Sequence, residues 1–408
     1  MSGIDPYSIR KDFPILDQTI NGKPLIYLDN AATSQTPKQV VEASKNYYSH
    51  INSNIHRAAH KLARAATKAH EDARETIAKH LNCEHNHELI FTSGTTDSIN
   101  LVSNTLALSG KISTGDKIII STLEHHANIV PWQMLCQRTG ASLQIIPIHE
   151  NGTLDMDAYR EMLDDSVKLV AVSHVSNALG TINPVSTIIS MAKEHGALVL
   201  IDGAQAAPHF KIDVQDLGCD FYVFSAHKIY GPTGIGILYG KEDILNELPP
   251  WRGGGEMIKE VSFEHTTYND LPFKYEAGTP DIEGAIAMAA AVDYMNELNL
   301  DNIAAHEAHL EKKATSALLE IKGIQLYGTA PHKAGVVSFR IEGIHHYDLG
   351  TLLDQMGVAV RTGHHCCQPL MARYGITGTV RASFAAYNTD QEVDAFIEAV
   401  HKSASMLG

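Results

Sequence analysis

Short apolar runs alternate with amphipathic segments from about Glu88 to Gly240. Each run is five to seven residues long and rich in Val, Ile or Leu, the pattern of strands buried on both faces. The intervening segments, such as "PVSTIISMAKEHG" between Pro184 and Gly196, have the start and stop signals of helices. The runs are "ELIFT" (88–92), "KIIIS" (117–121), "LQIIPI" (143–148), "KLVAVSH" (168–174), "ALVLID" (197–202), "FYVFSA" (221–226) and "GIGILYG" (234–240).

This alternation of strands and helices predicts the α/β class. We expect a large domain with a seven-stranded, mainly parallel sheet between two layers of helices. Ligands of such sheets bind beyond the carboxyl ends of the strands. The residues that directly follow each apolar run are therefore the candidates for chemistry.

The pattern changes after about Glu283. Long helical segments are predicted at 285–298 and 304–321. A strand "GVVSFRI", a helix, a strand "GVAVRT", the loop "HHCC", a strand "TVRASF" and an amphipathic helix from Asp390 follow. We expect a smaller α+β domain made of residues 1–25 with 291–408, beside a large domain of residues 26–290.

Charge and cysteine usage exclude several classes of protein. The 408 residues carry a net charge of −15 without a basic run, so neither a nucleic acid nor an anionic membrane is an expected partner. The first 16 residues lack a signal-peptide pattern, and no apolar stretch is long enough to span a membrane. The five cysteines are odd in number and, apart from the adjacent Cys366 and Cys367, scattered. This usage indicates a reducing compartment, and we expect the cytoplasm.

Polar side chains follow five of the predicted strands. Each has an ordinary structural role when taken alone: Thr95 can cap a helix, Asp202 can cap the next one, and His125 or Lys228 can lie at the surface. The complete set is Gly94, Thr95 and Thr96, then Glu124, His125 and His126, then Asn177, then Asp202 with Gln205, then Ser225, His227 and Lys228.

Taken together, these residues match the needs of one ligand, pyridoxal 5′-phosphate. Lys228 can condense with the aldehyde, Asp202 can keep the pyridine nitrogen protonated, and His125 can stack on the ring. Gln205 can donate to the phenolic oxygen. The phosphate can be held by Thr95, Thr96, Ser225 and His227 at a helix N-terminus.

The chain resembles the cysteine desulfurases of the SufS type, which are group II of the class V aminotransferase-like enzymes. The resemblance covers essentially the whole length, and it implies the pyridoxal-phosphate-dependent transferase fold type I. The motifs that carry it are "YLDNAATSQTP", "NSNIHR", "TSGTTDSINLV", "EHHANIVPWQ", "DGAQAAPH", "SAHKIYGPTGIGILYG", "GGGEMI", "EAGTPD" and "RTGHHC".

The resemblance implies a role for each site residue. Cys366 is the nucleophile that takes sulfur from L-cysteine, and Lys228 moves the Cα proton. His125 shuttles a proton at the sulfur. Arg381 holds the substrate carboxylate, while Arg361 and Asn177 contact cofactor or substrate. The resemblance further implies a homodimer, in which Thr279 reaches the partner's phosphate.

The tetrapeptide His364-His365-Cys366-Cys367 leaves alternatives open. A zinc site usually uses ligands spaced along the chain, and four consecutive residues do not readily converge on one ion. We therefore expect no metal. Family members commonly have alanine where this chain has Cys367. Cys367 is inert or resolves a persulfide, and we favour the inert thiol because reactivity needs a lowered pKa.

Related activities also remain open. A selenocysteine lyase or a cysteine sulfinate desulfinase would share this site. A kynureninase-like hydrolase or an aminotransferase would not need Cys366, and a non-catalytic sulfur-relay subunit would not need Lys228. "HHYDLG" (345–350) has Tyr347 where relatives that work with a zinc-bearing SufU protein tend to have histidine. We therefore expect a SufE-like sulfur acceptor and iron–sulfur cluster assembly as the destination.

Overall fold

The computed structural model describes residues 3–57 and 59–408. Its helices are α1 Pro6–Arg10, α2 Lys38–Asn46, α3 Lys61–His80, α4 Thr95–Ser109, α5 Val130–Thr139, α6 Met156–Met162, α7 Val185–Glu194, α8 Val214–Leu217, α9 Glu242–Glu247, α10 Ile282–Leu298, α11 Leu300–Leu319, α12 His346–Gln355, α13 Gln368–Arg373 and α14 Asp390–Leu407. Its strands are β1 Thr19–Ile20, β2 Lys23–Pro24, β3 Ile26–Tyr27, β4 Leu89–Thr92, β5 Lys117–Ser121, β6 Ser142–Ile146, β7 Val167–Ser173, β8 Leu198–Asp202, β9 Phe221–Ser225, β10 Gly236–Gly240, β11 Ile258–Val261, β12 Thr266–Tyr268, β13 Ile324–Tyr327, β14 Val336–Ile341, β15 Val358–Ala359, β16 Arg361–Gly363 and β17 Thr379–Ser383.

The seven predicted apolar runs form one sheet, in the order β4-β10-β9-β8-β7-β5-β6. Strand β10 is antiparallel to both of its neighbours, and the pairs from β9 to β6 are parallel. The prediction of a seven-stranded, mainly parallel sheet is confirmed. The carboxyl ends of β4, β5, β7, β8 and β9 consequently share one edge.

Most strands of the sheet are apolar because both of its faces are covered, while the edge strand β6 is partly exposed. In β5, Ile119 packs into one hydrophobic core, while Ile118 and Ile120 pack into the core on the opposite face. All three side chains are buried. Burial of a large aliphatic side chain contributes about 1.5–3 kcal/mol, so strands of this kind hold the two helical layers against the sheet.

A second sheet supports the C-terminal part of the chain. Its order is β13-β14-β17-β16, and all of its pairs are antiparallel. The predicted strand "GVAVRT" is divided, because Val358 and Ala359 pair with β3 whereas β16 pairs with β17. A third core lies under this sheet and includes Leu28. The division into residues 26–290 and 1–25 with 291–408 stays a prediction.

None of the helices within residues 3–57 and 59–408 is long and apolar enough to cross a membrane.

Buried His70 on α3 gives a prediction about acid stability. Burial, and then the charge of Arg74, lowers its pKa to about 3, below the value of about 6.5 in an unfolded chain. At a pH between these two pKa values, His70 binds a proton in the unfolded chain but not in the folded chain. The free energy of unfolding therefore falls as the pH falls. We expect His70→Gln to reduce the loss of unfolding free energy between pH 7.5 and pH 5 by about 2 kcal/mol. Urea unfolding at both pH values measures it.

The matched control for this prediction is His309→Gln, which changes an exposed histidine that contacts Asp390. An equal pH dependence of unfolding in wild type and His70→Gln would contradict the assignment.

Candidate active site

A cavity opens at the shared carboxyl edge of the large sheet. It brings together all but one of the predicted site residues, although they are spread over nearly 300 positions of the chain. The exception is Thr279, which lines a separate cleft beside Trp251 and Arg252. The predicted residues in the cavity wall are Thr95, Thr96, His125, Asn177, Asp202, Gln205, Ser225, His227, Lys228, Arg361, Cys366 and Arg381.

One end of the cavity is built to hold an anion. Helix α4 begins there after Gly94, whose φ of +136° suits glycine. The side chain of Ser225 accepts a hydrogen bond from the Thr95 amide at 2.8 Å and lies 2.8 Å from the Thr95 hydroxyl. A Cβ atom on Gly94 would lie 3.1 Å from the Ser225 oxygen. The glycine thus lets the two elements meet, and the positive end of the helix faces the cavity.

Lys228 and Asp202 supply an amine and a carboxylate to the same cavity. Burial lowers the pKa of Lys228, an effect that the nearby Asp202 opposes. The amine therefore loses its proton more readily than a surface lysine, and a neutral amine is the nucleophilic form. Burial raises the pKa of Asp202, whose Oδ1 accepts the Ala204 amide at 3.0 Å. A buried carboxylate of this kind is best stabilised by a cationic partner.

His125 is a neutral imidazole of fixed orientation. Its Nδ1 accepts a hydrogen bond from the Ala127 amide at 3.0 Å. Burial, and then the charge of Lys228, lowers the pKa of His125 to about 3. The single proton of the neutral ring must therefore sit on Nε2. His125 can offer that proton to a group in the cavity.

Three buried polar atoms of cavity-lining residues have no hydrogen-bond partner among the described residues: Nδ1 of His365 and two atoms that bear on ligand binding. The latter two are Oε1 of Gln205 and Nε of Arg381. The other guanidinium nitrogens of Arg381 donate to the Asn177 carbonyl at 2.8 Å and to Asp29 at 3.0 Å. An orphaned buried donor or acceptor is costly. Arg381 Nε is therefore poised to donate to an anionic ligand.

The cysteine loop has a strained but well-anchored backbone. His365 and Cys366 are both left-handed, with φ of 52° and 57°, a conformation that costs a non-glycine residue free energy. Three hydrogen bonds hold it: Asn177 Nδ2 donates to the His365 carbonyl at 2.8 Å, the His126 amide donates to the Cys366 carbonyl at 2.8 Å, and the Cys367 amide donates to the His364 carbonyl at 2.8 Å. These hydrogen bonds anchor the loop at the cavity wall.

The four side chains of this loop diverge. Cys366 is half-buried in the cavity wall, whereas the Cys367 thiol is fully buried and donates to Asn177 Oδ1 at 3.1 Å. Burial raises the pKa of Cys367 to about 12. His365 contacts Thr379 in the interior, and His364 is exposed. Geometry thus favours Cys366 over Cys367 as the reactive thiol.

Two site residues were not given a role from the sequence. Asp29 holds Arg381, and it lies within "YLDNAATSQTP", so that motif carried a usable signal. Glu124 is fully buried beneath the site, where burial raises its pKa to about 7. It accepts from Ser121 and Asn128, and from the Ser173 amide. It thereby ties β5 to β7 under the cavity.

The site residues fit pyridoxal 5′-phosphate. The α4 cradle suits a phosphate, the buried Asp202 suits a protonated ring nitrogen, and the Gln205 amide suits a phenolic oxygen when its nitrogen faces the cavity. Lys228 can hold the aldehyde carbon.

Comparison with known proteins agrees with this chemistry. Residues 26–396 match the model of the aminotransferase class-V family. A probable cysteine desulfurase of Xylella fastidiosa is 50% identical over 400 residues, which are 98% of this chain and 96% of that protein. The cysteine desulfurase of Salmonella typhimurium is 49% identical over 98% of both chains. The crystal structure of the Escherichia coli cysteine desulfurase CsdA is 39% identical with a TM-score of 0.92, covering 99% of this chain and all of that one.

Proposed function

Because the chain belongs to the class-V aminotransferase family, and within it to the cysteine desulfurases, we propose that it converts L-cysteine into L-alanine and leaves the sulfur as a persulfide on Cys366. Its cofactor is pyridoxal 5′-phosphate. The observation that carries the proposal is the meeting of Lys228, Asp202 and Cys366 in one cavity. Other chemistries of this fold do not need a thiol there.

Each residue has a task in this reaction. The cofactor, when bound, draws electrons away from the substrate Cα. Lys228 takes the Cα proton, since its lowered pKa makes the free amine available. The Cys366 sulfur attacks the substrate sulfur, so that an S–S bond forms while the C–S bond breaks. The net change is L-cysteine plus a thiol giving L-alanine plus a persulfide, which balances without an added oxidant or reductant.

His125 and Arg381 assist at either end of the substrate. Neutral His125 donates and retrieves a proton through Nε2 at the sulfur. Arg381 binds the carboxylate through its unpartnered Nε, with Arg361 beside it in the cavity wall. Asn177 joins these parts, because its carbonyl accepts from Arg381 and its side chain holds the cysteine loop. Its role is thus to position Cys366 relative to the substrate.

Replacement of Arg381 by lysine tests the carboxylate site. Lysine keeps the charge but lacks the planar fork that meets Asn177, Asp29 and an anion at once. We expect KM for L-cysteine to rise by about tenfold or more, because a charge-assisted hydrogen bond of about 1.5–3 kcal/mol is lost. Steady-state kinetics measure this. Arg373→Lys is the control, since Arg373 pairs with exposed Glu150. An unchanged KM would contradict the assignment.

The activity itself is tested with purified protein, L-cysteine and a thiol reductant. We expect a yellow protein that releases sulfide and alanine in equal amounts. Sulfide accompanied by pyruvate and ammonia would contradict the proposal, because that outcome is elimination without sulfur transfer. L-Selenocysteine and cysteine sulfinate, offered in parallel, distinguish the related lyase and desulfinase activities.

We infer a homodimer as the working form. Thr279 lines a cleft separate from the cavity of its own chain, which supports a role at the phosphate of a second copy. The β11–β12 hairpin carries Phe263, which is fully exposed, and Val261, which is 63% exposed. Apolar groups so exposed mark an interface. Phe263→Glu is expected to give monomers in sedimentation experiments, and an unchanged dimer would remove the hairpin from the interface.

We infer that sulfur passes from Cys366 to a SufE-like acceptor of a SUF system for iron–sulfur cluster assembly, in the cytoplasm. All five cysteines are free thiols, which fits a reducing compartment. Tyr347 is 64% exposed at the start of α12, which packs against β16, the strand leading into the cysteine loop. Transfer of the persulfide sulfur from Cys366 to a thiol of purified SufE-like and zinc-bearing SufU proteins tests this, and faster transfer to the SufU protein would overturn it.

A further inference from the structure

Three buried polar side chains form a chain that leads from the cavity wall into the protein. Gln205 Nε2 lies 3.2 Å from His209 Nε2, and His209 Nδ1 lies 2.5 Å from Glu307 Oε2. All three residues are at least 95% buried. Only Gln205 touches the cavity, so His209 and Glu307 have no direct part in the reaction described above.

Glu307 comes from a helix that joins two hydrophobic cores. Leu300 and Ile303 of α11 pack in a core of the large sheet, while Leu310 and Ala314 pack in the C-terminal core. Glu307 lies between them and points at the turn after β8 that carries His209 and Gln205. A carboxylate is expensive to bury unless a cation or several donors meet it. A structural ion pair alone would satisfy that need without involving Gln205.

The amide of Gln205 can meet His209 in either of two orientations, which differ in the charge of the imidazole. With its nitrogen toward His209, the ring is neutral, and Oε1 is left buried without a partner in the described chain. With its oxygen toward His209, the ring carries both protons and donates to Gln205 and to Glu307. The amide nitrogen then faces the cavity as a donor.

We propose that Glu307 is a positioning residue for the active site: its carboxylate accepts from His209 Nδ1, and Nε2 of the same ring donates to the Gln205 oxygen, so that the amide N–H faces the phenolic oxygen of the cofactor. The inference rests on the proposed function. An anionic oxygen needs a donor, and an amide oxygen in that place would repel it. When position 307 has no carboxylate, the imidazole of His209 no longer has to donate from both nitrogens. The Gln205 amide can then return to the orientation in which its nitrogen faces His209.

The pair formed by His209 and Glu307 has a titratable neighbour. Tyr230 faces Glu307, and burial followed by the Glu307 charge raises the pKa of this phenol. Tyr230 therefore stays a neutral phenol at ordinary pH and adds no charge beside Glu307. The carboxylate in direct contact with His209 is that of Glu307.

The test is a pH titration of the visible absorption band in the loaded protein. We expect Glu307→Gln to raise the midpoint by about one pH unit, a tenfold gain in proton affinity, because the phenolic oxygen loses a donor and holds its shared proton more tightly. Gln205→Ala should give a shift of the same sign. The double variant should shift no further than Gln205→Ala, since Glu307 acts through Gln205.

Two further variants complete the test. Glu311→Gln, one turn along α11, removes a pairing with Lys333 and should leave the midpoint unchanged. His209→Gln should reproduce the Glu307→Gln shift, and it decides the matter if Glu307→Gln does not fold. An unchanged midpoint, or additive shifts in the double variant, would overturn the proposal. A colourless wild-type protein would instead defeat the proposed function itself.

Discussion

Lys228→Met is expected to yield a colourless protein without desulfurase activity. The amine is the group that binds the cofactor aldehyde and then moves the Cα proton, so one substitution removes both tasks. Methionine has a similar length and is uncharged, and it relieves the burial of a charge instead of creating one. We expect kcat to fall by about 10⁴-fold or more, because general acid–base catalysis alone contributes about 10²–10⁴-fold.

Two measurements check the Lys228 prediction. Borohydride reduction followed by peptide mass spectrometry should place the trapped cofactor on Lys228 in wild type and on no residue in the variant. Lys241→Met is the matched control, because Lys241 pairs with Asp220 away from the cavity. Borohydride trapping of the cofactor on another peptide of Lys228→Met would show that another amine holds it.

Cys366→Ala and Cys367→Ala should have very different effects, although the residues are adjacent. We expect Cys366→Ala to abolish the protein-bound persulfide and to reduce alanine formation by about 10³-fold, since the nucleophile is gone. Cys367→Ala should keep activity within about threefold of wild type. Its thiol is buried, and it loses only a weak donor to Asn177.

Mass spectrometry after one equivalent of L-cysteine should find the added sulfur on the peptide at Cys366. Cys367→Ser is the conservative control, because a hydroxyl can also donate to Asn177. A loss of persulfide confined to the Cys367 variants would refute the assignment of the nucleophile.

The sequence was sufficient to predict the large sheet and its functional edge. Apolar runs such as "KIIIS" have one physical explanation, burial on both faces, and parallel strands with a common direction put Asp202 and Lys228 at one edge. The roles of Cys366 and Arg381 came from the family resemblance, because no local pattern distinguishes a catalytic thiol or guanidinium from an ordinary one.

The remaining features depend on contacts between distant parts of the chain. Asn177 holds a carbonyl 188 positions away, and Glu307 meets His209 across 98 positions. The opposite directions of Cys366 and Cys367 result from left-handed backbone at two non-glycine residues, a conformation for which the sequence has no signal. The β11–β12 hairpin was missed because its short strands are largely exposed and lack an apolar run.

Because the cysteine loop is anchored, we expect the acceptor, and not Cys366, to move during sulfur transfer. Asn177 and His126 donate hydrogen bonds to the carbonyls of His365 and Cys366. The thiol of Cys366 cannot move several ångströms outward without breaking these hydrogen bonds. If sulfur passes to an acceptor protein as proposed, we expect that protein to extend a flexible, thiol-bearing arm to the cavity mouth. The rate of delivery then depends on the length and mobility of that arm, and shortening it should slow delivery while leaving alanine release in a single turnover untouched.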